Sequence, residues 1–234
     1  MVREGWPEEV SSRGGAGPST AFDARPNPAL SSVGTEFLPE VISPMAVDPK
    51  PRLSPQDYLA LERQVEWKSE YVEGEMVAMS GASRRHNLIV LNLARELSLQ
   101  LKGRPCEAYV TDMRVKTADG VLYTYPDAVV VCGEPRFEDE QVDTLVNPTL
   151  IIEVLSPTTE AYDRGTKFEH YRSLDSLREY VLVAQDKPRV EHFAHQGDGQ
   201  WLLTPVSGLD GRLLLPAIQC ELPLTEIYDK VPFT

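Results

Sequence analysis

The chain is poor in cysteine: Cys106, Cys132 and Cys220 are its 3, widely spaced and without a C-x-x-C pair. That pattern argues against a disulfide framework and a structural zinc site, and it fits a reducing cytoplasm. Nor is there a run of about 18 apolar residues able to span a bilayer. Glu4, Glu8 and Glu9 stand where a signal peptide would carry its apolar segment. The expectation is a cytoplasmic protein with no membrane partner. Basic residues are scarce too, 23 Lys and Arg against 36 Asp and Glu, for a formal charge of −13. Such a chain does not coat nucleic acid or anionic lipid by bulk attraction. A phosphate-bearing partner must be met locally, by a basic patch or a metal ion.

What is present suits a globular protein. The 234 residues, 41% hydrophobic and 25% charged, suggest one domain plus a tail. Of 19 prolines, 9 fall between Pro7 and Pro55, and Ser11–Thr20 carries neither helical nor strand period. Residues 1–52 therefore read as a flexible Pro/Gly/Ser-rich tail, and 53–234 as the folded domain. Ser54-Pro55 predicts a capped helix with Tyr58, Leu61 and Val65 on one face. Glu73-Gly74 predicts a tight hairpin inside Tyr71–Met79. Ser83 caps a longer helix whose Ile89, Val90, Leu93, Leu97 and Leu101 make an apolar face, ended by Gly103-Arg104-Pro105.

The period then changes to strand over Glu107–Val115 and again over Tyr125–Val131. Thr149–Leu155 is a short, nearly continuous apolar strand of the kind buried on both faces. A helix from about Glu160 to Arg172 follows, then Glu179–Val183 and further β-prone pieces towards the C-terminus. This order predicts an α+β domain with a mixed central sheet flanked by helices and additional C-terminal strands.

One residue breaks the apolar run of Thr149–Leu155: Glu153. An ionised carboxylate there is costly unless a cation or strong donors meet it. A second carboxylate, Asp127, opens another apolar strand 26 positions earlier. If the two strands pair, the carboxylates converge at one sheet end and repel unless a hard divalent ion lies between them. Lys167, 14 positions beyond Glu153, can fold back to the same place on the following helix, with Asp163 as its i, i+4 neighbour. Two carboxylates, a metal and a lysine suit phosphodiester hydrolysis by a metal-activated water, with no covalent protein nucleophile.

The ordered set Tyr125-Pro126-Asp127, Ile152–Pro157, Asp163–Lys167 and Tyr171, with Ser69–Glu75, Met79–Ser83, His86 and Thr111–Val115, resembles the Uma-type putative restriction endonuclease family. That family is a branch of the PD-(D/E)XK nuclease superfamily. The resemblance covers about residues 53–230 and omits the tail. It implies a restriction-endonuclease-like core and a Mg2+-dependent endonuclease site, with Mn2+ as substitute and DNA as partner. By position, Asp127 and Glu153 would bind the metal, helped by a backbone carbonyl beside Glu153, and Lys167 would be the catalytic lysine. Glu70, in the segment resembling the family's Glu-Tyr-x-x-Gly pattern, would be an accessory metal-side acid. The superfamily's usual lysine lies two positions after the acidic residue, where this chain has Leu155.

Plainer readings stand beside these. Asp127 could end a turn, Glu153 could sit in a structural ion pair, and Lys167 could face solvent. His86 and Asp112 are candidates for supporting the site, each with a structural alternative, and Glu73 and Glu75 are weaker. His192 and His195 fall on opposite faces of a strand and do not suggest a metal site. A DNA-gripping surface would draw on Arg84, Arg85, Lys102, Arg104, Arg114, Lys116, Arg164 and Arg172. The competing function is a catalytically silent nuclease-like binding or interaction module, favoured by the displaced lysine and the acidic charge. Hydrolysis of another phosphate ester would use the same residues. A homodimer is compatible with double-strand cutting, although no heptad or apolar stripe demonstrates one.

Overall fold

The computed structural model describes residues 52–233. The tail expected over residues 1–52 thus lies almost wholly outside the described residues. Helix α1, Pro55–Glu62, starts at Ser54, whose hydroxyl accepts the Asp57 N–H. Its buried face is Tyr58, Leu59 and Glu62, whereas Leu61 is exposed. The helix lies on its ring-bearing side, so the expected Tyr58–Leu61–Val65 stripe is corrected: Tyr58 packs with Tyr71 and Tyr123.

Strands β1 (Ser69–Val72) and β2 (Glu75–Ala78) form the expected hairpin, with Val72 opposite Glu75. Both turn residues, Glu73 and Gly74, have positive φ, and a Cβ at Gly74 would collide with the Arg52 side chain at 2.7 Å. Helix α2, Arg84–Leu101, follows the Ser83 cap and buries Ile89, Val90, Asn92, Leu93, Leu97 and Leu101.

Of the two long strands read from the sequence, the first is divided and the second is one strand that starts three residues later than expected, at Ala128, with a further short strand before it. Glu107–Val115 becomes β3 (Cys106–Val110) and β4 (Arg114–Lys116), broken at Thr111, which has φ 56°. On the return, β5 (Leu122–Thr124) is separated from β6 (Ala128–Cys132) by Tyr125-Pro126-Asp127. The chain crosses there between two sheets. One has the order β2-β1-β5-β4-β7, with β7 at Thr144–Leu145. The other is mixed and runs β11-β10-β9-β8-β6-β3. Its members are β8 (Leu150–Val154), β9 (Glu179–Val183), β10 (Arg189–His195) and β11 (Trp201–Ser207). Within this sheet β8 and β9 pair in parallel, joined by a helical crossover, and in the smaller sheet β4 and β7 do so.

That six-stranded sheet is covered on both faces. Ala128, Val130, Ile152 and Val154 face α2, a hairpin of β12 (Arg212–Leu215) and β13 (Cys220–Pro223), and the last helix. Val129, Val131, Ile151 and Leu182 face the crossover helix and Leu145 of the smaller sheet. Continuous burial of β8 follows, as its unbroken apolar sequence requires.

Cysteine is the clear correction to the sequence reading. Cys106 and Cys132 are direct partners in the antiparallel β3–β6 register and form a disulfide, leaving Cys220 free and buried. A 26-residue separation carries no local spacing signal; only strand pairing brings the sulfurs together. The argument from cysteine to a reducing compartment is thereby removed. No helix among the described residues is long and apolar enough to cross a membrane.

Candidate active site

The register of β6 and β8 sets the site. Ala128 pairs with Ile152 in antiparallel fashion, so Asp127 and Glu153 are the next opposed pair. Both lie an even step from Val129 and Ile151, on the face that meets the crossover helix. Asp127 comes immediately after the sheet-to-sheet crossing. Its Oδ2 accepts the backbone N–H of Val154 at 2.7 Å, and its Oδ1 meets His86 Nε2 at 2.8 Å. His86 is in the first turn of α2, where the Ser83 cap accepts its N–H at 3.1 Å. The carboxylate is fastened from two elements.

Glu153 is 4% exposed and Lys167 5%. The ammonium of Lys167 lies 3.0 Å from Glu153 Oε1, 3.1 Å from Glu70 Oε1 and 3.7 Å from Asp163 Oδ1. Tyr171 donates its hydroxyl to the same Glu153 oxygen at 2.9 Å, and Thr124 donates to Glu70. The helix expected from Glu160 to Arg172 delivers these groups with a local change of pitch. It begins as α3 (Glu160–Tyr162), widens to a π-helical turn at Asp163–Lys167, and resumes as α4 (Phe168–Tyr171). Residues four apart share one helix face, and both Asp163 and Lys167 are buried.

One ammonium therefore serves a set of carboxylates: Glu70, Glu153 and Asp163 touch it, and Asp127 adds its charge nearby. Burial pushes the Glu153 carboxyl up; Lys167 opposes this, and the negative charges of Asp163, Asp127 and Glu70 add to it, raising it to about 8. Burial and the same neighbours raise Asp163 as well, against Lys167. Desolvation pulls Lys167 down, but Glu153, Glu70 and Asp163 outweigh it and hold the ammonium well above its ordinary range.

This donor set fits a hard cation. Its acids are all oxygen ligands, their negative charge exceeds what one lysine neutralises, and the excess falls on Glu153. Among the described residues, no group of three or more His, Cys, Asp or Glu is arranged to hold a metal ion. Mg2+ does not require one, since it binds through one or two carboxylates plus water and substrate phosphate.

The structure thus brings together Asp127, Glu153, Lys167, Asp163 and Glu70, with His86 behind Asp127. Other candidates are elsewhere. Asp112 is exposed and paired with Lys68. Glu73 and Glu75 are exposed hairpin residues, and His192 pairs with Glu179 inside the sheet. Two members went unrecognised. Thr124 is an ordinary strand threonine by sequence. Gln185 donates to the Leu155 carbonyl at 2.7 Å, lies 3.5 Å from His86 Nδ1, and accepts from Ser83 at 2.5 Å. Neither carries a spacing signal; both are located by strands whose neighbours only the fold reveals.

The architecture belongs to a nuclease-like α+β class. A solved structure from Anabaena variabilis, described as a putative nuclease belonging to DUF820, matches with a TM-score of 0.62. That match covers 77% of this chain and 99% of that one at 20% identity, a likeness of fold. Residues 55–225 match the Uma2 family, described as putative restriction endonuclease, and the chain belongs to that family. Two Synechocystis relatives are uncharacterised proteins. The protein sll1609 is 42% identical over 156 residues, 67% of this chain and 88% of its own length. The protein slr1290 is 36% identical over 185 residues, 79% of this chain and 96% of its own.

Proposed function

We propose that this protein is a Mg2+-dependent endonuclease that hydrolyses DNA phosphodiester bonds by in-line attack of water. The observation that carries the reading is the direct opposition of Asp127 and Glu153 across β6 and β8, with Lys167 against Glu153. Asp127 and Glu153 would hold the cation, and Glu70 would contribute negative charge from the far side of Lys167. The cation supplies acidification of water and neutralisation of charge on the phosphate. His86 and the Val154 amide hold Asp127 in one orientation, so its carboxylate needs no reorganisation. Lys167 fixes Glu153 and offers a cation to charge developing on the phosphate. Tyr171 donates its hydroxyl to the same carboxylate oxygen.

Leu155 occupies the position where the superfamily usually has lysine. In this chain the ammonium comes from the π-helical turn and reaches the same carboxylate. That substitution supports retained catalysis over the silent-module reading.

The test is incubation of the full chain with supercoiled plasmid and Mg2+ or Mn2+. Nicked or linear product is expected, falling at least about 100-fold in rate for Asp127→Asn and Glu153→Gln. Product formed equally by both variants, or by protein in excess chelator, would remove these residues from the mechanism.

A further inference from the structure

One amide joins the end of the six-stranded sheet to the helix that supports Asp127. Gln185 lies two residues past Val183, where β9 ends beside β8 in parallel register. Next to it the chain leaves β8 at Leu155, whose N–H binds the Val183 carbonyl at 2.9 Å. Ser83 and His86 reach the same place from the start of α2. The Gln185 amide nitrogen is 2.7 Å from the Leu155 carbonyl oxygen and 3.5 Å from His86 Nδ1, and its oxygen is 2.5 Å from Ser83 Oγ. His86 Nε2 lies 2.8 Å from Asp127 Oδ1. A continuous line of contacts thus runs from Ser83 through Gln185 and His86 to Asp127.

The chemistry of the neighbours assigns each atom along that line. A backbone carbonyl only accepts, so the end of the Gln185 side chain against Leu155 is the NH2 group. Its oxygen then faces Ser83, whose Oγ accepts the His86 backbone N–H at 3.1 Å and has its hydroxyl hydrogen left to give. The amide is therefore oriented from both ends. The NH2 group that meets Leu155 also faces His86 Nδ1, and a group with only hydrogens to offer selects a lone pair there. At 3.5 Å the bond is weak, and its effect is to disfavour a hydrogen on Nδ1. The Asp127 carboxylate makes the complementary choice on the other side, since it takes a hydrogen from Nε2. A ring rotated by half a turn about its bond to Cβ would set carbon atoms against both partners. With Oδ2 bound by the Val154 N–H at 2.7 Å, Asp127 is held at both oxygens, and each keeps a lone pair for a cation.

We infer that Gln185 is a positioning residue for Asp127: it fixes the tautomer and the orientation of the His86 ring, so that the carboxylate meets a divalent cation without first turning. This inference deepens the nuclease reading and rests on it for what Asp127 binds. Groups outside the coordination shell act in this way in metal sites. They set which ring nitrogen of a histidine carries hydrogen, they hold the ligand in place, and losing one typically lowers metal affinity by about 10–100-fold. Here the histidine stands behind a carboxylate and the amide stands behind the histidine, so the low end of that range is expected.

The test is calorimetric titration of the full chain with Mn2+ for the wild type, Gln185→Met, His86→Phe and the double variant, joined to nitrogen NMR of the histidine rings in the metal-free protein. Methionine keeps the unbranched shape of glutamine and donates no hydrogen. Gln185→Met should weaken Mn2+ binding about tenfold on its own, and by less than about twofold in the His86→Phe background, because the amide acts through that ring. An unaltered melting temperature is the folding control. In the metal-free wild type the His86 hydrogen should lie on Nε2, an assignment that needs no variant, and Gln185→Met should move the Nδ1 signal towards that of a free lone pair. Mn2+ affinity unchanged by Gln185→Met, equal losses in the two backgrounds, or a hydrogen on His86 Nδ1 would each overturn the inference and leave the nuclease reading in place. A wild type that binds no Mn2+ overturns both.

Discussion

Two clusters in this molecule have similar ingredients and opposite electrostatics. Near the surface, Arg63 binds Asp139 and Asp143, and Arg114 also reaches Asp143. Two guanidinium groups meet two carboxylates, and the hydrogen bond from Arg63 holds the Asp143 carboxyl down at about 2. In the interior, Lys167 alone meets Glu70, Glu153 and Asp163, with Asp127 close by, and Glu153 is driven up to about 8. An ion pair by itself does not mark a site. A surplus of carboxylates in a desolvated place sets the interior cluster apart, and in the proposed function a divalent cation would relieve it.

Removing the cation from each cluster should sharpen this contrast. Lys167→Met leaves three buried carboxylates without their partner, and a loss of about 3–5 kcal/mol is expected by denaturant unfolding. A loss below about 1 kcal/mol would show that the interior cluster behaves like a surface pair. The Cys106–Cys132 crosslink touches neither cluster and calibrates the scale. Replacing both cysteines by serine should cost about 2–4 kcal/mol, and no measurable change would mean that the bond does not form in the folded protein.

Smaller effects test the same idea from the acidic side. Glu153→Gln relieves the carboxylate excess and leaves Lys167 with Glu70 and Asp163, so unfolding should shift by less than about 1 kcal/mol. A cost comparable to Lys167→Met would contradict the claim that carboxylates are in surplus. Arg63→Met should cost only about 0.5–1 kcal/mol at pH 7. The sign of its pH dependence is fixed: Asp143 is depressed from 3.8 to about 2, so its contribution is present above about pH 4. It is lost as pH falls towards 2. Acid unfolding of Arg63→Met should therefore be shallower in that range, and an unaltered profile would remove Arg63 as the cause.

Much of the site was legible in sequence because it follows from local rules. A carboxylate in an otherwise apolar strand is conspicuous, and Asp127 after Pro126 marks the start of the next strand. Ser54, Ser83 and Glu73-Gly74 announce their caps and turn by chemistry that acts within a few residues. What stayed hidden depends on contacts distant in sequence. The split of Glu107–Val115 reflects passage between sheets, a tertiary event. The disulfide needs the β3–β6 register, and the π-helical turn leaves no mark in a helical period. Gln185 and Thr124 become site residues only through their neighbours in space.

The most direct measurement is calorimetric titration of the full chain with Mn2+ at neutral pH, wild type against Glu153→Gln and Asp127→Asn. Saturable binding by the wild type and its loss in both variants is the predicted result. Absence of heat in the wild type, or binding that both variants retain, would contradict a shared cation between Asp127 and Glu153.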